Sequence, residues 1–129
     1  MKSVSTSAGI AFTAGGDVLV LRRSPKVASP RTWAVPGGHV EPGESTLEAA
    51  VREIDEEILN APARYVVSEE LVFGGDLDFT MFIAPLRRRF TPRLNWENDD
   101  YRWADREQLS RLKLHPGFKK ILQRIGEID

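Results

Sequence analysis

The chain has 129 residues and no cysteine, with 18 lysines and arginines against 19 aspartates and glutamates for a formal net charge of −1. That length fits one domain with an ordinary core, and the missing cysteines exclude a disulfide framework and thiolate chemistry. So balanced a charge argues against a nucleic-acid or membrane surface while leaving room for a small anion held locally.

The opening residues MKSVSTSAGIAFTAGG carry one lysine and only a short apolar run, too little for a signal-peptide core. Nor does any apolar stretch approach the roughly eighteen residues of a membrane helix, so the chain reads as cytoplasmic. AGIAFTA and VLVLRR, separated by the turn-like GGD at 15–17, predict a β-hairpin. SPKVASPRTW is a proline-bearing loop, and its prolines bias Ser24 and Ser29 towards extended backbone. Such loops commonly carry binding residues. A short apolar piece, WAVP, then enters GGHVEPGE, whose glycines and proline predict tight turns.

From Ser45 the apolar period becomes helical: Leu47, Ala50, Val51, Ile54 and Ile58 fall on one stripe, and Ser45 with Glu48 matches a capping box. A helix of about fourteen residues spans ~21 Å. Pro62 marks its latest end. RYVVSEELVF and LDFTMFIAPL predict two longer strands around the turn GGD at 74–76, RRRFTPRLNWENDD is charged and irregular, and YRWA predicts a short strand. DREQLSRL and PGFKKILQRI close the chain as helices. Strands, one helix, strands again and terminal helices predict an α/β fold, a mixed sheet covered by helices.

Within the first helix, REIDEE at 52–57 sets Glu53, Glu56 and Glu57 on one turn with Arg52 as the one cation among them. Like charges so placed cost roughly 0.2–0.5 kcal/mol per pair. A solvated face is the plain reading. The chemical one is hard-cation coordination, because carboxylate oxygens suit Mg²⁺ or Mn²⁺ and neither thiolate nor paired histidine is present to favour zinc.

The residues ahead of the helix favour the second reading. GGHVEPGESTLEAAVREIDEE resembles the Nudix box, G-x5-E-x7-R-E-U-x-E-E-x-G-U, with Gly38, Glu44, Arg52, Glu53, Ile54, Glu56 and Glu57 in register across residues 38–60 and WAVPG preceding them. The resemblance implies a single Nudix domain over residues 1–129, folded as an α/β/α sandwich with a mixed sheet and a loop-helix-loop catalytic motif. It also implies metal ligands at Glu53, Glu56 and Glu57 with the backbone carbonyl of Gly37 or Gly38, and roles for Arg52 and Glu44 in orienting the glutamates. A surface pair of Arg52 with Glu48 is the structural alternative. One departure stands at the end of the box, where Leu59 and Asn60 replace glycine and an aliphatic residue. Asparagine tolerates the left-handed conformation that closes helices, so the helix stop is expected one residue downstream.

Beyond the box, Trp103 with Gln108 and Leu109 resembles the late W-x-x-x-x-L neighbourhood of the family, whose preceding loop supplies a further carboxylate. Glu97 is the choice here, with Asp99 and Asp100 behind it. Arg22, Arg23 and Lys26 are candidates to meet phosphates, and Trp33 to stack on a base, although a tryptophan beside a strand more often packs in the core. Phe73, Phe79 and Phe82 read as packing, His39 and His115 as surface or capping residues, and the arginines at 87–89 as a charged edge that discourages sheet pairing.

The expected activity is Mg²⁺-dependent hydrolysis of a nucleoside diphosphate linked to another moiety, with Mn²⁺ able to substitute, water attack at phosphorus and Glu53 as first candidate for the base. Two alternatives are a nucleotide sensor without turnover and, from the likeness of NDDYRW to GDP-mannose hydrolases, attack at sugar carbon. The expected partner is a nucleotide-type small molecule, with no membrane or nucleic-acid polymer and a homodimer left open. Selectivity falls to the loops at 24–32 and 87–100, which carry no readable code.

Overall fold

The computed structural model describes residues 5–129; residues 1–4, part of the stretch read for a signal peptide, lie outside the described residues. Period-2 alternation organises the sheet. Along β1 (Ser7–Ala14), Ile10 and Phe12 point to one layer and Ala11 to the other, and along β2 (Asp17–Arg23), Leu19 and Leu21 oppose Val20. The two strands form the expected hairpin, with Gly15 and Gly16 at positive φ in its turn.

Short strands β3 (Trp33–Ala34) and β4 (Gly37–His39) follow, then helix α1 (Thr46–Glu57). After them come β5 (Glu69–Phe73), β6 (Phe79–Pro85), β7 (Asn98–Ala104), α2 (Arg106–Arg111) and α3 (Pro116–Arg124). The sheet runs β3-β2-β1-β6-β5, with β7 on the remaining edge of β2 and β4 on β1. β1 and β6 are parallel from Ser7 with Phe79 to Thr13 with Pro85, whereas the other strand pairings are antiparallel, so the sheet is mixed.

Each face carries its own core. Ala50, Ile54 and Ile58 of the α1 segment pack with Ile10, Phe12, Leu19, Leu21 and Phe82. Leu109 of α2 and Phe118, Ile121 and Leu122 of α3 pack with Ala11, Val20, Trp33 and Met81. The result is the expected α/β/α sandwich. Among the described residues no helix is long and apolar enough to cross a membrane.

Four local expectations are corrected. Gly37 and Gly38 form a strand on β1 instead of a tight turn, because without side chains they close on its backbone: a Cβ at Gly37 would lie 2.6 Å from the Cα of Gly9. Ser29 takes φ 50°, not the extended form its following proline favours; its carbonyl accepts from Thr32 Oγ1 at 2.7 Å and the loop closes when Arg31 N–H reaches Arg23 O at 2.7 Å. Leu47 is 40% exposed, so the buried stripe runs through Ala49 instead. The strand read as YRWA begins earlier, at Asn98, because NDD continues the pairing with β2 across a bulge at Arg22 and Arg23.

Candidate catalytic and metal site

Helix α1 starts on the predicted capping box, with Ser45 Oγ accepting from Glu48 N–H and Glu48 Oε1 accepting from Ser45 N–H. Glu48 is thereby occupied, and Arg52 turns elsewhere. Its Nε and Nη2 hold the two oxygens of Glu44 at 2.8 and 3.0 Å, its Nη1 donates to Glu53 Oε1 at 3.0 Å and Glu56 Oε1 at 3.2 Å, and its Nη2 also reaches His39 O at 3.0 Å. The bidentate grip on Glu44 is the strong geometry for this pair. One guanidinium thus ties the loop before the helix to two of the crowded glutamates, and it offsets the repulsion that REIDEE builds in.

Gly38 explains itself at Glu53. A Cβ there would sit 2.7 Å from both carboxylate oxygens, so the absent side chain is the space in which Glu53 lies. Burial raises the Glu53 carboxyl above the ordinary carboxylate range, with Glu56 and Glu97 adding to the rise and Arg52 opposing it. The same guanidinium lowers Glu44.

Glu57 points into the protein and is only 6% exposed. Gly37 N–H donates to its Oε2 at 2.9 Å and Asn98 Nδ2 to its Oε1 at 3.0 Å. Burial still dominates, and with the charges of Glu97 and Glu53 it pushes this carboxyl up to about 8. Asn98 is the residue that sequence reasoning missed. Nothing in its type or spacing marks it; only the pairing of β7 with β2 brings it beneath the helix.

Glu97 stands on the loop ahead of β7, where its N–H and Oε1 bond to the Asn95 side chain at 2.9 and 3.1 Å and its carbonyl accepts from Ser24 N–H at 2.8 Å. Its charge bears on both Glu53 and Glu57. Asp99 and Asp100 are otherwise engaged: Asp99 pairs with Arg22 at 2.7 Å and Asp100 Oδ1 accepts from Tyr101 N–H at 2.8 Å. Asn98, Asp99 and Asp100 of the NDD segment that prompted the sugar-carbon alternative thus each make a bond within the fold.

The substrate candidates divide. Arg22 is committed to Asp99, and Trp33 is 6% exposed in the second core with the guanidinium groups of Arg22 and Arg102 at 5.9 and 5.4 Å from its ring centroid. Trp33 is a packing residue here instead of a stacking platform. Arg23 donates through Nε to Ala28 O at 2.6 Å and lines a cavity of about 370 Å³ that also touches Gly37, Gly38, His39 and His115; Lys26 is exposed on the neighbouring loop.

Among the described residues no three His, Asp or Glu side chains are gathered closely enough to grip an ion as they stand, since Arg52 draws Glu53 and Glu56 while Glu57 is turned towards Gly37 and Asn98. The donor set nonetheless fits a hard cation. It consists of oxygen only, two of its carboxyls are raised by burial and by neighbouring carboxylates, and a cation beside them would reverse that rise.

Comparison with known proteins shows the family and the fold. The NUDIX domain profile matches residues 4–125. A pig bis(5'-nucleosyl)-tetraphosphatase is 30% identical over 70% of this chain and 67% of its own. A putative 8-oxo-dGTP diphosphatase 3 of Mycobacterium tuberculosis is 32% identical over 73% of this chain, which spans only 46% of that protein's length. Among solved structures, a Nudix hydrolase from M. smegmatis superimposes with a TM-score of 0.75 at 29% identity, covering 98% of this chain and 86% of that one.

Proposed function

The chain belongs to the NUDIX family, and from that premise we propose that it hydrolyses a nucleoside diphosphate linked to another moiety, with Mg²⁺ or Mn²⁺, by water attack at phosphorus. The observation that carries this reading is the set of contacts that seats Glu53 against Gly38 and Glu57 on Gly37 N–H, with Arg52 joining Glu53 to Glu56. Related hydrolases that act on dinucleoside polyphosphates and oxidised nucleoside triphosphates, as their names state, support a nucleotide substrate.

Glu53, Glu56, Glu57 and Glu97, with a carbonyl from Gly37 or Gly38, would hold the cation, which supplies charge to the phosphate oxygens and polarises phosphorus. Arg52 fixes Glu53 through Oε1 and leaves Oε2 to take a proton from water. That proton moves as the oxygen of water bonds to phosphorus and the anhydride P–O bond breaks. Burial raises the basicity of Glu53 towards that task. Glu44 keeps the guanidinium aligned and is a positioning residue.

Turnover in heavy-oxygen water tests the reaction, with the label expected in a phosphate-containing product. Label found only on a sugar hydroxyl means carbon attack, and no turnover of any nucleoside diphosphate derivative leaves the sensor reading in its place. Excess chelator is expected to abolish hydrolysis and added Mg²⁺ to restore it.

A further inference from the structure

Strand β7 pairs with β2 along one side, and among the described residues no strand pairs with its other side. Parity decides which of its backbone groups face outward. The two-residue turn of Gly15 and Gly16 makes Ala14 and Asp17 the bonded pair that closes the β1-β2 hairpin. Asp17 therefore directs its N–H and C=O to β1, and Val18, Val20 and Arg22 direct theirs to β7, where they meet Ala104, Arg102 and Asp100. Asp99, Tyr101 and Trp103 turn their backbone groups away from the sheet. A bond on that outer side agrees, since Tyr101 N–H donates to Asp100 Oδ1 at 2.8 Å, within its own strand.

An open edge of this kind is a template for another strand, and this one is complementary to itself. When two copies pair antiparallel about a two-fold axis, outward-facing residues oppose outward-facing residues, so the central registers lie on Asp100, Tyr101 or Arg102. Centring on Asp100 sets two aspartates face to face, and centring on Arg102 sets two arginines, each an unfavourable like-charge pair. Centring on Tyr101 sets Asp100 opposite Arg102 on both sides of the axis. These are non-hydrogen-bonded positions, where Cα atoms approach to about 4.5 Å and side chains come closest. Arg102 is exposed, its guanidinium standing over the Trp33 ring at 5.4 Å from the centroid. In this register Tyr101 with Tyr101, and Asp99 with Trp103, exchange N–H and C=O across the join. The Tyr101 N–H leaves Asp100 for a carbonyl of the second copy, and the freed carboxylate turns to that copy's guanidinium.

We propose that the chain forms a two-fold symmetric dimer in which β7 pairs with β7 of a second copy about Tyr101, with Asp100 and Arg102 fixing the register. A single strand pair buries little beside the roughly 1,600 Å² of a standard interface, so the dimer is weak and forms with concentration.

Sedimentation velocity of the full chain from micromolar to millimolar concentration is expected to show monomer passing into dimer. Asp100→Arg and Arg102→Asp each set like charges across the axis and are expected to stay monomeric. Mixed together they restore the dimer, because one copy then carries both cations and the other both anions. The chain has no cysteine, so a second test is free of background. Asp100→Cys mixed with Arg102→Cys under mild oxidant is expected to give the mixed disulfide in excess of either symmetric one, read by mass spectrometry, since the opposed Cα atoms lie within disulfide reach. A wild type that stays monomeric at millimolar concentration overturns the proposal. So does a dimer that persists in both charge variants, a mixture of folded charge variants that fails to associate, or symmetric disulfides in excess of the mixed one. Thermal unfolding certifies the fold of each charge variant, and the cysteine pair decides the register where one of them does not fold.

Discussion

Gly38 and Glu53 form one device at the scale of single residues, since the missing Cβ is the space that the carboxylate fills. Gly38→Ala is expected to displace Glu53, the freer of the two partners, and leave the strand pairing intact. Misplacing a catalytic group by about 1 Å costs roughly 10²-fold in rate. A fall in kcat of that order with unchanged thermal unfolding supports the assignment of Glu53, whereas normal turnover removes it from the chemistry. Glu57 makes a different prediction, about stability. An unfolded carboxyl at the ordinary value of 4.5 gives up its proton before the folded one at about 8 does. Between those values the native state holds the extra proton, so stability falls as pH rises through the window. In metal-free buffer the melting temperature of the wild type is expected to decline from pH 5 to pH 8 more steeply than that of Glu57→Gln, which keeps the shape and cannot ionise. Parallel curves for the two proteins would show that Glu57 is not the group responsible.

Helix α1 and the loop facing its end show what is legible in a sequence and what is not. The capping box, the buried Ala50 and Ile54, and the register of Glu53, Glu56 and Glu57 are all local, fixed by spacings of three and four, and the structure places the helix accordingly. Its end is not local. Ile58 closes the helix in an extended conformation and bridges to Leu94, and Asn60, expected to take a left-handed stop, has no positive φ. Its side chain instead binds the distant loop, donating to Thr91 O at 3.0 Å and accepting from Arg93 N–H at 2.7 Å. Phe90 anchors the same loop edge-on against Phe12 and Trp103. Partners thirty residues away leave no periodic trace, and Asn98 beneath Glu57 escapes notice for the same reason. Asn60→Ala is expected to loosen this loop at a cost of about 1–2 kcal/mol for the two bonds. Trypsin should then cut faster after the arginines at 87–89 and 93, read by mass spectrometry of the fragments, while unchanged cleavage would mean that Phe90 and the backbone bonds of Arg93 and Asn95 suffice to hold the loop.

Across the whole molecule, elements distant in sequence converge on a patch of carboxylates whose repulsion Arg52 offsets only in part. β4 brings Gly37 and Gly38, α1 brings the glutamates, and the segment entering β7 brings Glu97 and Asn98. Binding at that junction ties these elements together, so a divalent cation is expected to raise the melting temperature of the entire fold, by about 2.7 kcal/mol of stability at a concentration of 100 times Kd. Protons compete for the same oxygens. With Glu57 at about 8, only about 1% of it is ionised at pH 6, which weakens apparent cation affinity by roughly 100-fold relative to the fully ionised site. The Mg²⁺ increment in melting temperature is therefore expected to be small at pH 6 and large at pH 8.5, and to lose this pH dependence in Glu57→Gln. Scanning calorimetry at fixed Mg²⁺ across that range decides the matter. An increment that is constant with pH would place the cation on Glu53, Glu56 and Glu97 without Glu57, and would leave the buried carboxyl with the structural task of holding Gly37 and Asn98.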